Sequence, residues 1–145
     1  MSSTLNSKFK INWVLTKELA IGKAPKKKKH LLKIRDEGIK NILSLCSFKE
    51  SSPLEGIEDM FNFHSFPLND HTYETLPTIN QINEAIDLLS NLINTGPVFI
   101  HCLAGMERSP LISLGYLIKV KSLNIQQALD YMMQVHPGTN PLPEQ

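Results

Sequence analysis

Cysteine is scarce in this chain. Two cysteines in 145 residues exclude a disulfide-stapled scaffold and a zinc site built from four cysteines, and they point to a reducing compartment. An excess of one charge is lacking too. Fifteen Lys or Arg stand against 14 Asp or Glu, a net of +1 that by itself predicts no strong attraction to nucleic acid. No apolar run approaches the roughly 20 residues that span a bilayer. Residues 1–10 are polar and lack the apolar stretch of a signal peptide. A cytoplasmic location is the resulting expectation. With 41% hydrophobic and 20% charged residues, the chain can bury a core without disulfides or a metal. One domain over 11–145, behind a flexible tail of residues 1–10, is expected.

The balanced total hides an asymmetry. Residues 1–40 hold 11 Lys or Arg against 3 Asp or Glu, a net of +8, and residues 41–145 carry a net of −7. Much of the excess is the run Lys26-Lys27-Lys28-Lys29, followed by His30, Lys33 and Arg35. Part of the surface should therefore be basic and another part acidic.

Ile11 to Thr16 and Leu19 to Ile21 read as short strands, with Gly22 as a breaker. A helix is expected from Lys26 to about Glu37, with Gly38 just past its end. Ile39 to Cys46 is dense in apolar residues and reads as a buried strand. Met60 to Phe66 alternates and reads as another. Pro67 to Pro77 is a polar loop of a length that often carries function. Ile79, Ile82, Ile86, Leu89 and Ile93 then recur at helical spacing. Pro97 to His101 is a short buried strand, and Arg108 to Val120 a strongly apolar helix. Asn124 caps a last helix with Ile125, Ala128, Leu129, Met132 and Val135 facing the core. Trp13, Phe61 and Phe63 read as core residues, and His30 and His136 as surface residues. Alternating strands and helices predict an α/β domain: a mostly parallel sheet of four to five strands flanked by helices.

The chemistry concentrates in Val98-Phe99-Ile100-His101-Cys102-Leu103-Ala104-Gly105-Met106-Glu107-Arg108-Ser109. A cysteine ends a buried strand, and after five intervening residues an arginine opens a helix. That geometry suits an anion. Loop N–H groups can converge on a phosphate, and the helix N-terminus adds partial positive charge. Gly105 allows the tight turn of such a cradle. Arg108 can grip two phosphate oxygens with its planar fork. The same field favours the Cys102 thiolate, an activated nucleophile.

His101-Cys102-X5-Arg108-Ser109 after an apolar strand resembles the signature loop of the cysteine-dependent protein phosphatases, in particular their small dual-specificity branch. The resemblance runs over residues 11–143. It implies a phosphatase fold and a set of roles. Cys102 would attack phosphorus and form a phosphocysteine. Arg108 would bind substrate and the transition state. Ser109 would hydrogen-bond the Cys102 sulfur and help it leave. His101 would orient the loop. Leu103, Ala104, Gly105, Met106 and Glu107, with Arg108, would surround the bound phosphate. The general acid implied is Asp70, 32 residues before Cys102; Glu74 and then His71 are the alternatives, and Asp70 could instead be a turn residue. A positioned carboxylic acid contributes about 10²–10⁴-fold.

No metal or other cofactor is implied, since Arg108, loop amides and the helix end carry the charge. Lipid-directed relatives usually place lysines inside the loop. Here the five intervening residues include no cation, and Glu107 is acidic, which disfavours a polyanionic substrate. Glu107 could also serve the helix start. Lys26 to Lys29 borders the cleft in the relatives. It could recruit an anionic partner, or be a solvated helical turn. Nucleic acid is an unlikely partner, because no aromatic residues interleave with the run. In the lipid-phosphatase and cyclin-kinase-directed branches a cysteine near the position of Cys46 forms a reversible disulfide with the nucleophile. Cys46 could do the same or be a core residue.

The expected activity is therefore metal-independent hydrolysis of phosphomonoesters through a phosphocysteine, most simply on phosphorylated tyrosine, serine or threonine of proteins. The alternatives are the same chemistry on a phosphoinositide, nucleotide or RNA 5′ end, and a non-catalytic phospho-binding module.

Overall fold

In the computed structural model, residues 9–69, 76–103 and 107–137 are described. Most of the flexible-tail expectation and all of residues 138–145 lie outside them. Ten elements follow in order: β1 (Ile11–Leu15), β2 (Leu19–Lys23), α1 (Lys28–Asp36), β3 (Asn41–Ser44), α2 (Ile57–Met60), β4 (Asn62–Ser65), α3 (Ile79–Ile93), β5 (Val98–Cys102), α4 (Arg108–Lys119) and α5 (Ile125–Val135). The single turn α2 has no counterpart in the sequence reading.

The strands form one five-stranded sheet in the order β1-β2-β5-β3-β4. Among the described strands, only β1 runs antiparallel to its neighbour. The expected mostly parallel sheet is thus present as a mixed one, with β5 at its centre. Central strands are buried on both faces, so their side chains divide by parity. Leu19, Ile21, Leu43, Val98, Ile100 and Cys102 pack with α3, α4 and α5. Ala20, Ile42 and Phe99 face the other way, onto Leu31 and Ile34 of α1 and onto Phe9. Phe9 is 7% exposed, so the core reaches back into the segment read as a tail. Lys33 Nζ holds its carbonyl at 2.7 Å.

Two of the described helices start on side-chain caps. Thr78 and Gln81 form a reciprocal capping box on α3, and Asn124 and Gln127 form another on α5. Buried Asn41 locks the entry to β3. Its Nδ2 donates to Leu92 O at 3.2 Å, Thr95 Oγ1 at 3.1 Å and Gly96 O at 3.2 Å, and its Oδ1 accepts from Asn62 Nδ2 at 3.2 Å.

Several expectations are corrected. Gly22 does not break β2; it lies inside it, opposite Ile11 and His101. A Cβ there would stand 2.7 Å from Lys10 O and 2.9 Å from the Phe99 ring, so the glycine is required by close approach. Ile79 and Ile125 are exposed rather than buried. Each is the first residue of its helix, one turn ahead of Ile82 or Ala128, where burial begins. His136 is buried, with Nδ1 2.6 Å from Asn12 Nδ2. Trp13 is half-buried and donates to Glu37 Oε1 at 2.8 Å; Phe63 is half-buried, whereas Phe61 is core.

Gly22→Ala should destabilise the domain by about 1–3 kcal/mol, the usual cost of overpacking. Urea unfolding checks this, and a shift under 0.5 kcal/mol, the range of an ordinary surface substitution, would contradict the close approach.

Candidate active site

In parallel α/β sheets, ligands bind beyond the carboxyl ends of the strands. Here the ends of β3, β4 and β5 meet. Leu45 N donates to His101 O at 2.9 Å, Phe66 N to Ser44 O at 2.8 Å, and Leu68 N to Leu45 O at 3.0 Å. Cys102 closes β5 and is 2% exposed. Beyond it Leu103 O accepts from Ala24 N at 3.3 Å. That bond brings the segment leading to the lysine run against the signature loop. Leu103 is 36% exposed. Ala104, Gly105 and Met106 lie outside the described residues, as do Asp70, His71 and Glu74.

Arg108 opens α4 and is among the most deeply buried large side chains, at 2% exposure. Its Nη1 donates to Leu68 O at 2.8 Å, Glu50 Oε1 at 3.0 Å and Leu45 O at 3.2 Å. Its Nη2 donates to Glu50 Oε2 at 2.8 Å. This is a bidentate ion pair with a shielded partner, Glu50 being 12% exposed at its side chain. Burial alone would pull the Arg108 pKa down; the Glu50 hydrogen bond and the nearby negative groups outweigh it and hold the pKa above its ordinary value. Arg108 therefore keeps its charge in a low-dielectric setting.

Glu50 is the residue that sequence reasoning missed. A signal was available. Ser47-Phe48-Lys49-Glu50 is a capping-box pattern, and Ser47 N donates to Glu50 Oε1 at 3.0 Å while Glu50 N donates to Ser47 Oγ at 3.3 Å. Leu45 and Leu68 contribute through backbone oxygens, which no residue type announces.

His101 is 4% exposed, and its Nδ1 lies 3.3 Å from Cys102 O. A carbonyl only accepts, so this bond needs the proton on Nδ1. Burial pushes His101 down to about 4, so the ring is neutral at pH 7. It holds the backbone at the nucleophile. Ser109 Oγ is fully buried and has no hydrogen-bond partner among the described residues; the expected bond to the Cys102 sulfur is not formed here. Glu107 is the N-cap residue of α4, but its side chain makes no cap hydrogen bond.

Cys46 lies two residues past β3, the strand paired with β5, and it is fully buried with a free thiol. Burial pushes that thiol up to about 11. It stays protonated at neutral pH and is a poor nucleophile. In this structure Cys46 is a core residue. No cluster of three or more metal-ligating side chains occurs among the described residues. Nor is any described helix long and apolar enough to cross a membrane.

The end of β5, the start of α4 and the buried Arg108–Glu50 ion pair thus lie together at the carboxyl edge of the sheet. The family model of the dual-specificity phosphatase catalytic domain matches residues 19–145. The chain belongs to the dual-specificity phosphatase family. It is 29% identical over 105 residues to the dual specificity protein phosphatase PHS1 of Arabidopsis thaliana, covering 72% of this chain and 11% of that protein. It is 33% identical over 78 residues to dual specificity protein phosphatase 1-A of Xenopus laevis, covering 53% of this chain and 21% of that one. This dual-specificity phosphatase chain thus spans a small part of the curated relatives it matches. The crystal structure of human tyrosine phosphatase-like serine/threonine/tyrosine-interacting protein has the same fold. Its TM-score is 0.77 at 19% identity, over 92% of this chain and 88% of that one.

The buried neutral His101 makes stability depend on pH. Its folded pKa of about 4 lies below the unfolded value of 6.5. Between those values the unfolded chain takes up a proton that the folded one refuses. Stability should therefore fall from pH 6.5 towards pH 4 by on the order of 3 kcal/mol from this group. Urea unfolding across that range should show a shallower decline in His101→Asn than in the parent; equal slopes would contradict the assignment.

Proposed function

We propose that this domain hydrolyses phosphomonoesters on proteins, on tyrosine as well as on serine or threonine. The observation that carries the reading is the seven-residue span from Cys102 at the end of β5 to Arg108 at the start of α4. It joins a nucleophile to a buried cation at the point where three strand ends converge. The Cys102 thiolate attacks phosphorus, and the ester oxygen leaves with a proton from Asp70. This yields the free hydroxyl and a phosphocysteine. A water molecule, giving its proton to the Asp70 carboxylate, then attacks phosphorus. The sulfur leaves, inorganic phosphate forms, and Ser109 donates to the departing thiolate. Arg108 and the loop amides of residues 103–107 bear the charge of the transferring group.

Support for Asp70 comes from its neighbour. Leu68, two residues earlier, is tied to the site through both its N–H and its carbonyl. A single phosphate is the expected guest, since residues 103–107 bring no cation. A thiol nucleophile is best kept in a reducing setting, which fits the cytoplasm.

The basic run is the place for an acidic stretch flanking the phosphoresidue. Lys26 to Lys29 follow the Ala24–Leu103 bond to the signature loop, and no described acid pairs with them. Burial, and then the charges of Lys27, Lys29 and Lys33, pull the pKa of His30 down, as expected in a positive local potential.

Hydrolysis of para-nitrophenyl phosphate and of an acidic phosphopeptide, with EDTA present, tests the reading. Cys102→Ser and Arg108→Lys should abolish turnover, and Asp70→Asn should lower it by about 10²–10⁴-fold. Replacing Lys26 to Lys29 by Gln should raise KM for the phosphopeptide and spare the small aryl phosphate. Wild-type turnover in Cys102→Ser would overturn the mechanism, and no turnover in the parent would favour a binding module.

A further inference from the structure

Helix α1 opens on like charge. Lys28 and Lys29 fill its first two positions, Lys27 is its N-cap residue without a side-chain cap bond, and its first turn holds no acid. Positive charge there opposes the helix dipole. One side-chain bond nonetheless closes the turn: Lys26 N donates to His30 Nδ1 at 3.0 Å. The residue that reaches back in this way from the third helical position is usually Glu or Gln. An acceptor at Nδ1 requires the proton on Nε2. Burial, and then the charges of Lys27, Lys29 and Lys33, hold the ring below its ordinary pKa, so it is neutral at pH 7. The ring lies flat on Phe9, with centroids 4.3 Å apart and 11° between the planes. Phe9 is fixed in turn by Lys33 Nζ on its carbonyl at 2.7 Å and by the ring of Phe99 in β5, 6.0 Å away.

We infer that His30 is a positioning residue for substrate docking: it holds the turn of Lys26 to Lys29 in one shape beside the signature loop without adding negative charge, so that the run meets an acidic stretch of a phosphopeptide. The inference deepens the reading of that run as the docking place and rests on it. A Glu at position 30 could close the same turn, but its carboxylate would cancel one of the four lysines it serves. A neutral imidazole closes the turn and leaves the positive field intact. Two ties carry the turn to the strand of the nucleophile. One is the bond from Ala24 N to Leu103 O, just past Cys102. The other is the stack from His30 through Phe9 to Phe99, three residues before Cys102. Ammonium groups borne on a fixed backbone lose less freedom when the peptide arrives, and docking is tighter for it.

Steady-state kinetics on an acidic phosphopeptide and on para-nitrophenyl phosphate test this. Loss of one such hydrogen bond places the expected rise in KM for the peptide at roughly 3- to 10-fold in His30→Ala, with kcat and the KM of the small substrate unchanged. His30→Gln, which can reach back to the same N–H, should restore the parent KM. A lower melting temperature with unchanged peptide KM in His30→Ala would make His30 merely structural and overturn the inference. So would a KM raised equally in His30→Gln. Should His30→Ala fail to fold, Phe9→Leu decides. It removes the stacked ring and should raise the peptide KM severalfold; an unchanged KM overturns the inference. Replacing Lys26 to Lys29 by Gln separates the two readings. If that variant raises the peptide KM and His30→Ala does not, the docking reading stands and this inference falls. If neither raises it, docking at the run falls, and this inference with it.

Discussion

The site depends on one buried guanidinium. Arg108 reaches from the first turn of α4 into a space bounded by three segments of distant sequence: Leu45 after β3, Glu50 in the following turn and Leu68 after β4. Each contributes an acceptor to the same cation. An unpaired charge at this depth would be costly, and removing one member of a buried pair typically costs about 3–5 kcal/mol. Glu50 makes the buried arginine tolerable. The backbone oxygens of Leu45 and Leu68 make the chain around it converge. The buried cation is thus also the tie that joins the segments after β3 and β4 to the start of α4.

The sheet sets the rest by parity. On β5, Cys102 falls on the face covered by α3, α4 and α5, whereas His101 falls on the opposite face with Phe99. Adjacent residues of one strand therefore receive different environments. Cys102 faces the helix that supplies Arg108. His101 is enclosed and stripped of its charge, and its ring serves the Cys102 backbone rather than the sulfur. The close approach of β2 and β5 at Gly22 belongs to the same arrangement.

Much of this was legible in the sequence. Apolar runs located the central strands and α4, helical periodicity located α3, and the Cys102-X5-Arg108 spacing singled out the turn between β5 and α4 as the candidate site. Terminal isoleucines such as Ile79 and Ile125 misled, because periodicity carries no information about where a neighbouring element ends. Gly22 misled because a glycine needed for close packing looks like a breaker in one dimension. His136 could not be read as buried without knowing that β1 would bring Asn12 to it. Glu50 was hidden for a different reason. Its pattern with Ser47 was local and visible, but its partner lies 58 positions away, and only the β3–β5 pairing joins them.

The proposed function rests on one step: a thiolate at Cys102 takes the phosphoryl group onto itself while Arg108 holds it. Rapid mixing of Asp70→Asn with para-nitrophenyl phosphate, quenching within the first turnover and peptide mass spectrometry test this most directly. The account predicts one phosphoryl group on the peptide that contains Cys102, carried on sulfur and lost from Cys102→Ser. Turnover without any phosphorylated protein, or a phosphoryl group on another residue, would contradict it.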